Sequence, residues 1–287
     1  MYQGFDLKID DISFFDSDEE YTKTLDENKE SIKLVVDEIL MSSDVIDAEK
    51  IINQWFPKDH YHVFISHSHK DEHIAKALAN WLYENFKLKS FLDSHIWGYA
   101  NDLLYNLNDL YARKNDTTFE YAPAIYNASN VHLMLSTALS EVIDSTECLF
   151  FINTENTIQN INLNNGKYEP RTDSAWIMHE LKSSSIIRRK QSEHRSEKLM
   201  ESKSAGLESI HKSVGYSYSI STNHLIKISQ EELSQWAEIC MLYKQIEGGL
   251  LQKRNFYSKY DALDKLYLYA YDLSSCEESD FSINLFN

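Results

Sequence analysis

The chain has 287 residues and carries 45 Asp and Glu against 28 Lys and Arg, a net charge of −17, with 43% hydrophobic and 25% charged residues. That composition belongs to a folded chain rather than a disordered one, and its negative field opposes a phosphate backbone, so nucleic acid is not expected as a direct partner. No apolar run is long enough to span a bilayer, the N-terminus opens acidic, and Cys148, Cys240 and Cys276 are widely spaced, which predicts a cytoplasmic chain without membrane anchor, disulfide framework or metal site.

In chain order, residues 1–59 hold 16 acids against 6 lysines, more than half of the excess charge, and are expected to form an acidic, helical N-terminal extension. Ile32, Val35, Val36, Ile39 and Leu40 recur at helical spacing, and Val45, Ile51, Ile52, Trp55 and Phe56 suggest a second short helix ending at Pro57. His62-Val63-Phe64-Ile65-Ser66 reads as a buried strand running into the polar turn His67-Ser68-His69-Lys70-Asp71. Asp71 is placed to cap a helix with the stripe Ile74, Ala77, Leu78, Trp81, Leu82 and Phe86, and Lys89 to Leu92 forms the next strand, so the unit is βαβ and the sheet parallel.

Residues 103–130 read as an insertion, helical at Leu103, Leu104, Leu107 and Leu110 and irregular from Thr117. Ser129 then caps a helix bearing Val131, Met134, Leu135, Ala138 and Val142, ahead of a third buried strand at Cys148 to Ile152. Asp173 or Ser174 caps a helix with Trp176, Ile177, Glu180 and Leu181, and Arg188-Arg189-Lys190 opens an exposed helix or linker. Ser229 with Glu232 makes a capping box ahead of Leu233, Trp236, Ile239, Cys240 and Tyr243, predicting a helical C-terminal extension over about 229–273. With only 7 glycines and no phosphate-cradling run of them, a P-loop or dinucleotide fingerprint is excluded.

His62 to Ser68, then Asp71, then Phe91-Leu92-Asp93, resemble the opening of a Toll/interleukin receptor (TIR) domain, and Ser174-Ala175-Trp176 with Glu180 looks like that family's Ser-x-Trp-x-x-x-Glu segment. The resemblance covers residues 60–185 and implies a TIR/flavodoxin-like α/β fold, a parallel sheet flanked by helices, with residues 186–287 as linker and helical C-terminal extension. Trp97 to Asp102 lie where the family's mobile loop stands.

The resemblance implies one of two activities, homotypic signalling assembly or cleavage of NAD at its nicotinamide ribosyl bond. That cleavage builds positive charge on the ribose carbon and wants a carboxylate below it and an apolar or stacking wall for the base. Counting back from the strand at 148–152, the family's Glu falls near Leu135, Ser136 or Thr137, none of them acidic; counting forward from Gly98 reaches Asp102. Asp102 is the candidate carboxylate, set against a plain role as first-turn helix charge, and His132, Ser136 and Glu141 line the cleft from another helix or form its polar margin. Phe64, Ser66, His67, Ser68 and Trp97 are the candidate nucleotide contacts, against the alternatives of a polar turn and a ring packed on its own domain. Trp176 is expected in the core, and Glu180 in exposed or loop-pairing contacts.

The expected protein is thus a TIR-type NAD glycohydrolase or ADP-ribose cyclase in bacterial antiviral defence or signalling. It would take NAD or a related nucleotide as substrate without a prosthetic group, and pair with itself or a defence partner protein. Its rivals are a non-enzymatic TIR assembly module and a flavodoxin-like regulatory domain.

Overall fold

A computed structural model describes residues 1–15, 18–25, 27, 47–56, 61–92, 94–162, 168–187, 189, 217–250 and 261–271. The expected helix at Ile32 to Leu40, most of the linker after Arg188, and the side chains of Trp97 and Tyr243 lie outside the described residues.

The chain opens with β1 (Gln3–Lys8) and reaches the short helix α1 (Ala48–Trp55), followed by β2 (Val63–Ser66), α2 (Glu72–Phe86) and β3 (Ser90–Leu92). A long helix α3 (Ser94–Tyr111), a small hairpin of β4 (Arg113–Asn115) and β5 (Thr118–Phe119), and a longer helix α4 (Tyr121–Ser145) lead to β6 (Cys148–Ile152). Beyond it come β7 (Gln159–Asn162), β8 (Tyr168–Thr172), α5 (Ala175–Ile186), β9 (Tyr218–Ser219), β10 (Ile226–Ser229), α6 (Gln230–Leu250) and α7 (residues 261–271).

The fold is α/β, a central five-stranded sheet in the order β10-β1-β6-β2-β3 with every pairing parallel and helices on both faces. From the β3 edge, β3-β2-β6 follow the 2-1-3 start of the flavodoxin-like strand order. The remaining two places are filled from the ends of the chain, by β1 and β10. β7, β8 and β9 form a separate antiparallel sheet.

Alternation along each strand sorts the core into two layers. Phe5, Leu7, Val63, Ile65, Phe150 and Ile152 pack with α2, α6 and α7, while Phe64, Phe91, Leu149 and Phe151 pack with α3, α4 and α5. A Cβ on Gly4 would stand 2.5 Å from a terminal methyl of Leu225, so a larger residue there requires the Leu225 side chain to turn aside.

Several elements differ from the sequence reading. Residues 3–8, expected inside a helical extension, are a strand of the main sheet: Phe5 and Leu7 alternate into the core, and pairing with β6 outweighs the acidic composition around them. Ile226–Ser229 is likewise a strand, and the capping box follows it directly, with Ser229 Oγ accepting from Glu232 N at 3.2 Å and Glu232 Oε2 from Ser229 N at 2.6 Å. The stretch expected as a loop at 97–102 is helical, within α3. The helix expected from Ser129 starts eight residues earlier, at Tyr121, because Pro123 falls in its first turn, where a missing N–H costs no hydrogen bond.

Asp71 stands at the head of α2 but does not cap it; its carboxylate accepts from Thr154 Oγ1 at 2.5 Å and Asn156 Nδ2 at 2.7 Å. α2 ends on Lys87, left-handed at φ 57°, with Lys87 N–H on Tyr83 O, the 5→1 bond of an αL cap, and Leu88 N–H on Leu82 O.

Candidate functional site

Open parallel sheets bind ligands at the carboxyl ends of their strands where the chain reverses direction across the sheet. Here that point lies between β2 and β6: the chain leaves β2 outward to β3, then returns over α3 and α4 to β6 on the other side. At the end of β2, Ser66 is fully buried, and its Oγ donates to Glu180 Oε2 at 2.5 Å.

Glu180 reaches this place because of how α5 is started and faced. Ser174 Oγ accepts from Ile177 N at 3.3 Å and fixes the first turn. Ile177, Glu180, Leu181 and Ser184 then form the buried stripe, so a carboxylate occupies a position that helical periodicity reserves for an apolar side chain. Burying it fully is costly unless it is hydrogen-bonded, and Ser66 supplies such a bond across 114 residues of sequence.

The neighbouring loops are held just as firmly. His67 is buried with Nδ1 3.2 Å from Ile65 O, and Ser68 Oγ accepts from Lys70 N at 3.4 Å. After β6, Asn153 N–H donates to Leu7 O and its Nδ2 to the buried Asp6 at 2.8 Å, while Asp71 grips Thr154 and Asn156. The loop over the crevice is therefore tied on one side to β1 and on the other to the turn after β2.

Above Glu180, one helical turn toward the start of α5, Trp176 lies parallel to the His132 ring at 5.8 Å and edge-on to His179 at 6.5 Å. The Ser136 carbonyl accepts from His179 Nε2 at 3.0 Å, which fixes the proton on that nitrogen, and Ser140 Oγ lies 3.2 Å from the same atom. His132 Nδ1 is 2.7 Å from Ala128 O.

Of the residues singled out in the sequence, Ser66 and His67 meet at the strand end, Phe64 is buried beneath them facing α3 and α4, and His132 and Ser136 line the seam between α4 and α5. Asp102 is exposed and in mid-helix, eight residues and about 12 Å of rise past the start of α3. Glu141 is exposed on α4. Sequence reasoning gave Glu180 exposed or loop-pairing contacts, whereas it is fully buried, and gave Asp71 a helix cap that it does not make; it passed over Asp6, Asn153, Thr154 and Asn156. The available signal for Glu180 was its place in the apolar stripe of α5, four residues after Trp176.

Among the described residues, no group of three His, Cys, Asp or Glu side chains could hold a metal ion, and no helix is long and apolar enough to cross a membrane. Comparison with protein-family models, with curated proteins and with solved structures finds no match to this chain.

Proposed function

We propose that the chain is a TIR-type enzyme that cleaves NAD at its nicotinamide ribosyl bond, acting in the cytoplasm and serving bacterial antiviral defence or signalling. The observation that carries the reading is the buried carboxylate of Glu180, held by Ser66 at the switch point of a parallel sheet. In this chemistry the bond between the ribose C1′ and the nicotinamide nitrogen breaks, its electron pair leaves with nicotinamide, and the ribose becomes an oxocarbenium ion. A fixed anion below the ribose stabilises that cation, and a water, or a nucleophilic atom of the same dinucleotide, closes on C1′ and releases a proton.

In this reading Glu180 is the anion in place of Asp102, since Asp102 stands exposed along α3 whereas Glu180 lies buried at the end of β2 against Ser66. The tied loop of Asn153 to Asn156 and the Trp176 indole are the adjoining surfaces for ribose and base.

A second reading has its own support. Glu180 has no exposed surface, so contact with a ribose requires α5 or the loop after β6 to part, and a carboxylate that never opens would only pin α5 to β2 in a non-enzymatic assembly module. Nicotinamide release by the purified chain separates the two. The enzyme reading expects turnover that falls by about 10²- to 10³-fold in Glu180→Gln, which keeps an acceptor for Ser66, and full turnover in Asp102→Ala. An inactive chain, or full activity in Glu180→Gln, defeats it.

A further inference from the structure

The strand at the edge of a sheet normally turns a row of main-chain N–H and C=O groups to water. β3 is such an edge, yet Ser90, Phe91 and Leu92 are all buried. The outward groups of Ser90 are taken by residues 18–25, which are helical from residue 20. The Tyr21 hydroxyl donates to Ser90 O at 2.7 Å and accepts from Ser90 N at 2.9 Å, so one side-chain oxygen stands in for a neighbouring strand. Next to it, Thr22 N–H donates to Asn80 Oδ1 and Asn80 Nδ2 donates to Thr22 Oγ1, both at 3.0 Å, and the Tyr21 ring stacks on Tyr83 of α2 at 4.7 Å.

Water can replace most of what this segment touches. Beneath it lie the Ser90 main chain, the Asn80 amide and Glu84, whose carboxylate accepts from Asp18 N at 3.3 Å; apolar contact comes from Tyr21 and Leu25. A helix of under two turns has little stability of its own. Phe14 and Phe15, just before it, are held differently, with rings 5.4 and 5.6 Å from Trp81 in the aromatic core. Closure also carries a cost: Ser90 Oγ is fully buried with no hydrogen-bond partner among the described residues, a penalty that wetting removes.

We propose that residues 18–25 are a displaceable cover, which opens as one unit from the Phe14 and Phe15 anchor while the sheet stays folded. Closed, it denies the sheet a sixth strand at this edge; open, it offers the Ser90 N–H and C=O for main-chain pairing with an extended segment. The Tyr21 hydroxyl holds the cover shut, and the buried Ser90 hydroxyl favours its release. The device stands independently of the chemistry at Glu180.

Native-state amide exchange of the full chain, followed by NMR, tests it at Thr22 and Ser90, whose amides donate across the contact, with Phe150 in mid-sheet as reference. In the wild type, Thr22 and Ser90 should share one protection, lower than that of Phe150 and far less sensitive to urea, because opening exposes little surface. Tyr21→Phe removes the acceptor of Ser90 directly, so Thr22 is the deciding reporter: its protection should fall about tenfold although it makes no bond to Tyr21. Ser90→Ala, which keeps the main-chain groups and deletes the buried hydroxyl, should raise Thr22 protection roughly threefold or more. One urea dependence common to all three wild-type amides overturns the proposal, as does a wild-type Thr22 amide without protection. Thr22 protection unmoved by Tyr21→Phe, or not raised by Ser90→Ala, overturns it equally.

Discussion

On one face of the sheet, α2, α6 and α7 bring Trp81, Phe86, Trp236 and Tyr267 against Phe5, Ile65 and Phe150; on the other, α3, α4 and α5 bring aliphatic side chains interrupted by Glu180 and by the His179 seam. A single step along β2 divides them, because Ile65 points to the first layer and Ser66 to the second. The first layer is assembled largely from the two ends of the chain and serves stability. The second carries buried polar groups that a simple core would avoid, and the candidate chemistry lies with them.

The contrast is tested most severely at Trp236. Its fully buried ring lies 4.4 Å from Phe86 and 6.1 Å from Trp81, and its Nε1 donates to Ala262 O at 2.8 Å, which couples α6, α2 and α7. Trp236→Ala should cost about 3–5 kcal/mol by chemical denaturation, through a large cavity and an orphaned carbonyl. Nicotinamide release per folded molecule should stay unchanged. A loss below about 1 kcal/mol would mean that the end-of-chain helices add little to this layer.

A smaller effect is expected at Asp71, on the carboxyl edge where the two layers meet. Asp71→Ala leaves the Thr154 hydroxyl and Asn156 amide without their acceptor and should cost about 1–3 kcal/mol, and Asp71→Asn, which keeps one acceptor oxygen, less. In a double-mutant cycle with Thr154→Val, the coupling should reach roughly 0.5 kcal/mol or more. Additive losses would show that the loop after β6 is held by something other than Asp71.

What could be read from the sequence follows the same division. β2, β3, β6 and the stripe of α2 were legible because each is a short apolar run or a clean 3.6-residue pattern between turn residues. β1 was not, because parallel pairing in mid-sheet is a long-range property: Gln3-Gly4-Phe5-Asp6-Leu7-Lys8 alternates well, but only its bonds to β6, some 145 residues away, make it a strand. Ser66 was legible as a strand-end residue, whereas its partner Glu180 looked like an ordinary helical acid until α5 was laid on the sheet. Asp71 looked like a cap for the same reason, since a cap and a cross-loop bond use the same residue type at the same position.

The least effect is expected from pH, at His224, which joins the β9–β10 loop to α5. Ser184 Oγ donates to Leu181 O at 3.0 Å, so His224 Nε2, 2.8 Å from that oxygen, is the donor to it and carries the proton of the neutral ring. Burial, with a further contribution from the Arg189 charge, holds the His224 pKa below its ordinary 6.5. Between that lowered value and 6.5 the unfolded chain binds more protons than the folded one, so stability rises with pH across this window. The contribution is complete above about 6.5 and is lost as pH falls toward the folded value, where both states are protonated and the penalty becomes constant. Melting of the wild type between pH 8 and 5 should therefore fall more steeply than that of His224→Gln, which keeps a donor for Ser184 but cannot take up a proton. Parallel curves for the two proteins would show that the loop carries no such charge penalty, and that the polar side of the sheet is coupled to pH elsewhere.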